Sequence, residues 1–330
     1  MSLETRALKA TLQLPSRGVR YGGKIPGGTV RIGCLTVEDE QVFDAVTPRP
    51  ESKIEHVFRE CVDYGAPFDP LDLLVDDRMF LLIQVRAITY GSNYTFDHQC
   101  PACLVPHRPQ VDLSALPIRV LEETDTEPFE VFLPVAGVKV SLRSLRGRDE
   151  QLIHRTAAAE SSRARAVQST NRDPSRKYRL AAAIVAINGD TKVTPATKLD
   201  FVSKLNSIDT LAIDAAIEEK SCGYALEIDI ECPNCHALEQ RTQLPRTEEF
   251  LRPRTLDPVH VQRVAEAAAS ARRAGVQQGG RAEDAAGGEE PHPQPFAGGG
   301  GTGGEEGGSA QGMKPPRKIH PGAMKATPRV

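Results

Sequence analysis

Residues 91–117 read GSNYTFDHQCPACLVPHRPQVDLSALP, and residues 223–245 read GYALEIDIECPNCHALEQRTQLP. Each stretch opens on a glycine, runs through a strand pattern into a Cys-Pro-x-Cys turn, continues into a second strand pattern and stops at Leu-Pro. Two matched CxxC turns in one chain supply four thiols, so the second stretch decides how the first is read. A two-residue gap lets both sulfurs of a tight turn face one ion, and the proline between them fixes φ and pre-forms the turn. Four soft thiolate ligands in a tetrahedron suit Zn²⁺. Cys100, Cys103, Cys232 and Cys235 are therefore the expected ligands of one Zn²⁺, with His107 and His236 as the alternative donors.

The two turns belong to a longer internal repeat. Val30, Ile32, Leu35 and Asp39-Glu40-Gln41 match Val140, Leu142, Leu145 and Asp149-Glu150-Gln151 at an offset of 110. Gly91, Phe96, Cys100, Pro101 and Cys103 match Gly223, Ile228, Cys232, Pro233 and Cys235 at an offset of 132. The second copy thus carries 22 more residues than the first, and the polar, Arg- and Ser-rich run 157–177 is where they fit. The expected fold is α+β. Two tandem repeats, each a β-hairpin, helices and a zinc-knuckle hairpin, share one split zinc ribbon. The expected divisions are 1–122, 123–253, a helix over 254–275 and a Gly/Pro-rich flexible tail over 276–330.

The spacing is the physical objection to such a site. Ordinary ribbons separate their pairs by roughly 15–20 residues, whereas 128 residues lie between Cys103 and Cys232. Closing that loop costs about 4 kcal/mol. Structural zinc contributes roughly 10–16 kcal/mol in small peptides, so the cost does not forbid the site. Four thiolates leave no open coordination position, which makes the expected metal structural and not catalytic. The residue after each pair tends to enter φ > 0; His236 suits that conformation better than Leu104 does.

Within each copy, the pattern dictates the elements. Val30, Ile32 and Cys34 alternate as a strand, and Thr36 with Asp39 caps a helix opening at Val37. Ile54, Val57, Phe58 and Cys61 recur at helical spacing. Asp69-Pro70 predicts the start of a long apolar helix running to Gly91, the expected core of the fold. In the second copy, Phe129–Leu133 and Val138–Leu142 read as strands. A helix follows from about Arg148, with further helices over Tyr178–Ile187 and Lys198–Lys220. Asp76-Asp77 and Glu122-Glu123 read as solvated charge or helix caps. Cys34, Cys61 and Cys222 read as small buried hydrophobes.

Composition excludes several function classes. A net charge of −3 gives no global pull toward nucleic acid or anionic membrane. The N-terminus has no apolar run of the signal-peptide kind, and no stretch has the eighteen or so apolar residues of a membrane span. Cysteines in such a chain are expected to be thiols or metal ligands, not disulfides. No phosphate-binding glycine loop, H-E-x-x-H motif or nucleophile elbow is present, so the chain is expected not to be an enzyme. Gly275–Gly312 holds 14 of the 27 glycines and one aromatic, Phe296. Such a segment cannot offset its ordering entropy and reads as a linker. The basic end KPPRKIHPGAMKATPRV reads either as a solvated terminus or as a docking peptide reached through that linker.

LQLPSRGVRYGGKIPGGTVRIGCLTVEDEQVF, residues 12–43, resembles the N-terminal block of the baseplate hub assembly family of contractile-tailed phages. So does DPLDLLVDDRMFLLIQVRAITYGSNYTFDHQCPAC, residues 69–103, followed by VDLSALP. The family comprises the T-even-type hub subunit, also described as an assembly chaperone, with relatives in phage-like contractile injection systems. The resemblance covers roughly residues 12–253. It implies a non-enzymatic component or assembly factor of the tail baseplate, with other baseplate hub or wedge proteins as partners and no membrane. It also implies a place in the bacterial host cytoplasm during assembly or in the virion tail. The rival readings from the residues are a zinc-ribbon nucleic-acid-binding protein and a thiol–disulfide enzyme. The first would want basic and aromatic residues around the knuckles. The second knuckle instead carries Glu227, Asp229, Glu231 and Glu239 against Arg241, so nucleic acid is not an expected partner.

Overall fold

Strands β1 (Lys9–Gln13) and β2 (Thr29–Gly33) pair antiparallel, with Leu12 opposite Val30 and Ala10 opposite Ile32. The alternation seen in the sequence sets the faces: Val30 and Ile32 are buried while Thr29 and Arg31 face solvent. The chain then forms α1 (Val37–Asp44) and α2 (Pro50–Glu60) and returns as β3 (Val62–Asp63) on the free edge of β2. This is a computed structural model, and it describes residues 6–44, 50–166, 174–245, 248–251, 253, 257–267 and 269. Residues 1–271 form one compact unit, and residues 272–330 lie outside the described residues. The expected linker and basic end therefore lie beyond what the structure describes, as does most of the expected loop at Asn171–Pro174.

The start of α1 is a reciprocal cap. Asp39 accepts from the Thr36 amide at 2.8 Å, and its own amide donates to Thr36 Oγ1 at 3.4 Å. Asp39 is also buried and clamped by Arg6, Nη1 to Oδ2 at 2.6 Å and Nη2 to Oδ1 at 3.2 Å, with His56 Nε2 at 2.9 Å. Burial alone would raise its pKa. The hydrogen bonds from Arg6, Thr36 and His56 outweigh burial and hold the carboxyl well below the usual carboxylate range. One acid thus ties the N-terminal arm, α1 and α2 together.

The long helix expected from Pro70 is divided. Pro70–Asp72 is a single 3₁₀ turn capped by Asp69, Leu73 and Leu74 are extended, and α3 begins only at Val75 and ends at Tyr90. The cause lies in the second half of the chain. The Val75 amide donates to Leu145 O at 3.0 Å, the Gly147 amide donates to Leu73 O at 3.0 Å, and Leu74 bridges Arg146. Those bonds compete with the first turn of the helix and displace it. From Met79 onward α3 is mainly apolar, with Leu81, Ile83 and Val85 at 1 % exposure or less, and it forms the centre of the main core.

Asp76 and Asp77, which read from sequence as solvated charge or helix caps, stand in the first turn of α3, with Asp77 buried and Asp76 half-buried. Asp77 is fully buried and accepts from the Ser16 amide at 3.1 Å and from Tyr21 Oη at 2.5 Å; Tyr21 Oη in turn accepts from the Leu74 amide at 3.0 Å. Asp76 accepts from the Cys222 amide at 3.2 Å. Burial pushes the Asp77 carboxyl up to about 6 from the ordinary 3.8. A raised acid contributes stability that is fully present below the unfolded value and is lost as pH climbs from about 4 to about 6. The gap corresponds to about 3 kcal/mol. Asp77→Asn removes that component. Its unfolding free energy, measured by urea titration, should therefore gain on the wild type by about that amount between pH 4 and pH 7. A gap that does not change with pH contradicts the assignment.

After the first knuckle, β8 (Ile118–Arg119) leads to β9 (Phe129–Leu133) and β10 (Val138–Leu142), which pair antiparallel with Val131 opposite Val140. α4 (Gly147–Ala166) and α5 (Ser175–Ala183) come next. The expected helix over Tyr178–Ile187 stops at Ala183, and β11 (Ile184–Ile187) joins the free edge of β10. The β-branched residues of IVAI take the sheet edge. The sheet orders β1-β2-β3 and β9-β10-β11 thus share one connection scheme. The Arg146 amide donates to Asp149 Oδ2 at 2.9 Å as the Thr36 amide does to Asp39, and Arg143 clamps Asp149 at 2.7 and 2.8 Å as Arg6 clamps Asp39.

Lys198–Lys220, expected as helical throughout, contains two helices, α6 (Pro195–Lys204) and α7 (Ser207–Glu219). Asn206 makes the break by accepting from the amides of Ile208 and Asp209 at 2.8 and 3.0 Å. A separate core of Leu133, Val140, Leu142, Leu180, Ile184, Val202 and Ile213 fills the space between this sheet and α5–α7. The chain then leaves it. β12 (Gly223–Tyr224) pairs with β8. Beyond β12 the chain packs on the first core through Ile230, Leu244 and Phe250, the last from the short α8 (Glu248–Leu251). Residues 258–267 are helical. Among the described residues no helix is long and apolar enough to cross a membrane.

Candidate metal centre

The first knuckle is built by β4 (Asn93–Thr95), β5 (His98–Gln99), the turn Cys100–Cys103, β6 (Pro106–His107) and β7 (Gln110–Asp112). Tyr94 lies opposite Val111 and His98 opposite His107. The second is built by β13 (Glu227–Glu231), the turn Cys232–Cys235 and β14 (Leu238–Gln243), with Ile230 opposite Glu239. The two turns are alike bond for bond. The amide after each pair donates to the first cysteine's carbonyl, Leu104 to Cys100 at 2.9 Å and His236 to Cys232 at 2.9 Å. The first cysteine's amide donates to the carbonyl five residues on, Cys100 to Val105 at 3.2 Å and Cys232 to Ala237 at 3.0 Å. Leu104 and His236 both adopt positive φ, 59° and 57°. For Leu104, two-thirds exposed, this conformation costs about 1–2 kcal/mol with little packing to offset it.

The 128-residue gap closes completely. Cys100 Sγ lies 3.7 Å from Cys235 Sγ, Cys103 Sγ lies 3.7 Å from Cys232 Sγ, and all four sulfurs fall within 4.8 Å of one another. A tetrahedron with metal–sulfur bonds of about 2.3 Å has edges of about 3.8 Å, so the cross-knuckle separations match a zinc tetrathiolate. The four are free thiols, not disulfides. Cys100 and Cys232 are buried, Cys103 is half-buried and Cys235 is exposed. Among the described residues this is the one cluster of three or more candidate ligands. The alternative donors are not in it: His236 Nδ1 pairs with Glu231 at 3.0 Å, and His107 Nδ1 faces Val105 O at 3.5 Å.

Contacts besides the thiols hold the knuckles together. His98 Nε2 meets Glu239 Oε2 at 3.1 Å, Tyr94 Oη donates to Pro245 O at 2.9 Å, and the Ala225 amide donates to Pro117 O at 2.9 Å. The Leu-Pro stop of each knuckle is thus held by the other. Gly91 (φ 96°) and Gly223 (φ 91°) open the knuckles in a conformation that suits glycine. A Cβ on Gly91 would come within 3.0 Å of His260 Cβ, and one on Gly223 within 3.2 Å of Asp76 O.

Beneath the first knuckle lies a residue that the pattern reading missed. Arg86, on α3, is 1 % exposed and donates to Gly91 O and to Asn93 O, the latter at 2.8 Å, with its guanidinium 5.3 Å from the Tyr94 ring centre and 5.6 Å from that of Phe250. Its signal in the sequence was an arginine within the apolar C-terminal half of α3, between Val85 and Ala87. The three remaining cysteines are buried as expected. Burial pushes the Cys61 thiol up to about 12 and raises Cys222 further, which makes both poor nucleophiles.

Residues 16–252 match a family described as T4 bacteriophage base plate protein. No curated protein and no solved structure matches the chain.

Proposed function

Because the chain belongs to the T4 bacteriophage base plate protein family, whose match spans well over half of it, we propose that it is a non-enzymatic part or assembly factor of a contractile tail baseplate, held in shape by one structural zinc. Family membership carries the baseplate role. The observation that carries the zinc is the meeting of four thiols from two turns 128 residues apart at tetrahedral separations. In this reading Cys100, Cys103, Cys232 and Cys235 fill every coordination position. The ion, when bound, supplies cross-linking and no reaction chemistry.

The finer reading is a hub subunit or hub-assembly chaperone of a phage or phage-like injection system. It is built as two tandem copies over residues 1–122 and 123–253 that share a split zinc ribbon. The common strand connections, the paired Thr36–Asp39 and Arg146–Asp149 caps and the two like turns support the duplication. Its partners are then other hub or wedge proteins. The test is association of the purified chain with the tail proteins encoded beside it, followed by size-exclusion chromatography. Co-elution with a hub or wedge protein is the expected result. Failure to bind any of them contradicts the reading.

A further inference from the structure

The knuckle end of the molecule exposes apolar surface that the chain's own fold leaves uncovered. Leu104 is 66 % exposed and Leu238 is 55 % exposed, one from each knuckle. Between the knuckles lies a cavity of about 210 Å³, room for one side chain, whose walls include Pro101, Ile230 and Leu238 and whose polar edge is His98, His107 and Glu239. Leu104 holds a left-handed conformation that glycine would adopt without strain. Its side chain is thus kept at a local cost that intrachain packing does not explain.

Two further features define what fits. His107 lines the cavity, and its Nε2 is buried without a hydrogen-bond partner. Its Nδ1 faces the carbonyl of Val105 at 3.5 Å, so a proton on Nδ1 would leave the Nε2 lone pair open to an incoming N–H. The cavity wall carries the Glu239 carboxylate beside Cys100 and Cys232, and four thiolates around a divalent ion would add two more negative charges there.

We propose that this end of the molecule is a docking face for a basic-aliphatic segment of a partner protein, with a lysine or arginine N–H meeting His107 and Glu239 beside an aliphatic side chain on Leu104 and Leu238. The proposal rests on the reading that the chain works by binding other baseplate proteins. It places that contact on the knuckles rather than on the helical surfaces.

The test uses the full zinc-loaded chain and a fluorescein-labelled hexapeptide of alternating lysine and leucine, read by anisotropy at 0.15 M salt. Leu104→Gly separates docking from folding, because the two readouts move oppositely. Its Tm should rise by about 2–4 °C as the strain is relieved, while peptide affinity falls at least tenfold. Leu238→Ser should weaken binding similarly, and Leu152→Ser, on the exposed side of α4, should leave it unchanged. Wild-type affinity in both knuckle variants overturns the proposal. So does equal binding of a glutamate–leucine peptide, displacement by a single-stranded oligonucleotide, or wild-type self-association that Leu104→Gly abolishes. Tail-protein association that persists in both variants refutes the face alone, whereas no association even by the wild type refutes the baseplate reading.

Discussion

Cys232→Ser is expected to leave the protein without its zinc and substantially less stable. The substitution removes one of four ligands and exposes the three remaining thiolates to one another's charge. Binding to the folded state alone stabilises by about 4 kcal/mol when free metal exceeds Kd a thousandfold. Losing that much lowers Tm by about 8–16 °C in a domain of this size. The loss should not be confined to the second knuckle. Ile230 and Leu244 pack on the core that surrounds α3, so amide exchange should quicken in β4 and β7 as well as in β13 and β14. Metal analysis by mass spectrometry and exchange on the same sample check both parts. A variant that keeps one zinc per chain, or that melts with the wild type, contradicts the staple. A zinc-free wild type with reactive thiols would instead favour thiol–disulfide chemistry.

The second large effect is expected at Arg86. Arg86→Met keeps most of the side chain's volume but orphans two buried carbonyls, Gly91 O and Asn93 O, at the point where α3 hands the chain to the first knuckle. Each unsatisfied group costs about 1–3 kcal/mol. Removing a buried cation gives some of that back, and the ring contacts to Tyr94 and Phe250 are also lost. A net cost of about 3 kcal/mol results, read as the shift in a urea midpoint. Because Tyr94 is displaced with the knuckle, zinc affinity measured by competition with a chelator should also weaken. Unchanged affinity in a destabilised variant would make Arg86 a core residue with no part in placing the ligands.

Much of this site is legible in the sequence because it depends on local chemistry. The CPxC turns, the glycines at 91 and 223 and the Leu-Pro stops each satisfy a short-range requirement of the backbone, and the structure brings all four thiols together. The cap at Thr36 and the strand alternation at Val30 and Ile32 are local in the same way. The features that sequence reasoning missed are set by residues far along the chain. The helix expected from Pro70 is held open at Leu73–Leu74 by backbone bonds to Leu145 and Gly147. Asp77 reads as solvated charge or a helix cap until the β1–β2 loop covers it with Ser16 and Tyr21. Ile184–Ile187 follows helical residues directly, and its β-branched run becomes a strand because the edge of β10 is free to receive it. Asn206 is a local signal left unused, since an Asn-Ser pair ahead of an apolar run is an ordinary helix start.

A single metal held jointly by both knuckles is the central claim. Zinc K-edge X-ray absorption on the monomeric wild-type protein tests it most directly, because each knuckle holds only two sulfurs. The predicted result is one zinc per chain with four sulfurs at about 2.3 Å and no nitrogen in the shell. A shell of two sulfurs completed by nitrogen or oxygen, or a protein that binds no zinc, would contradict it.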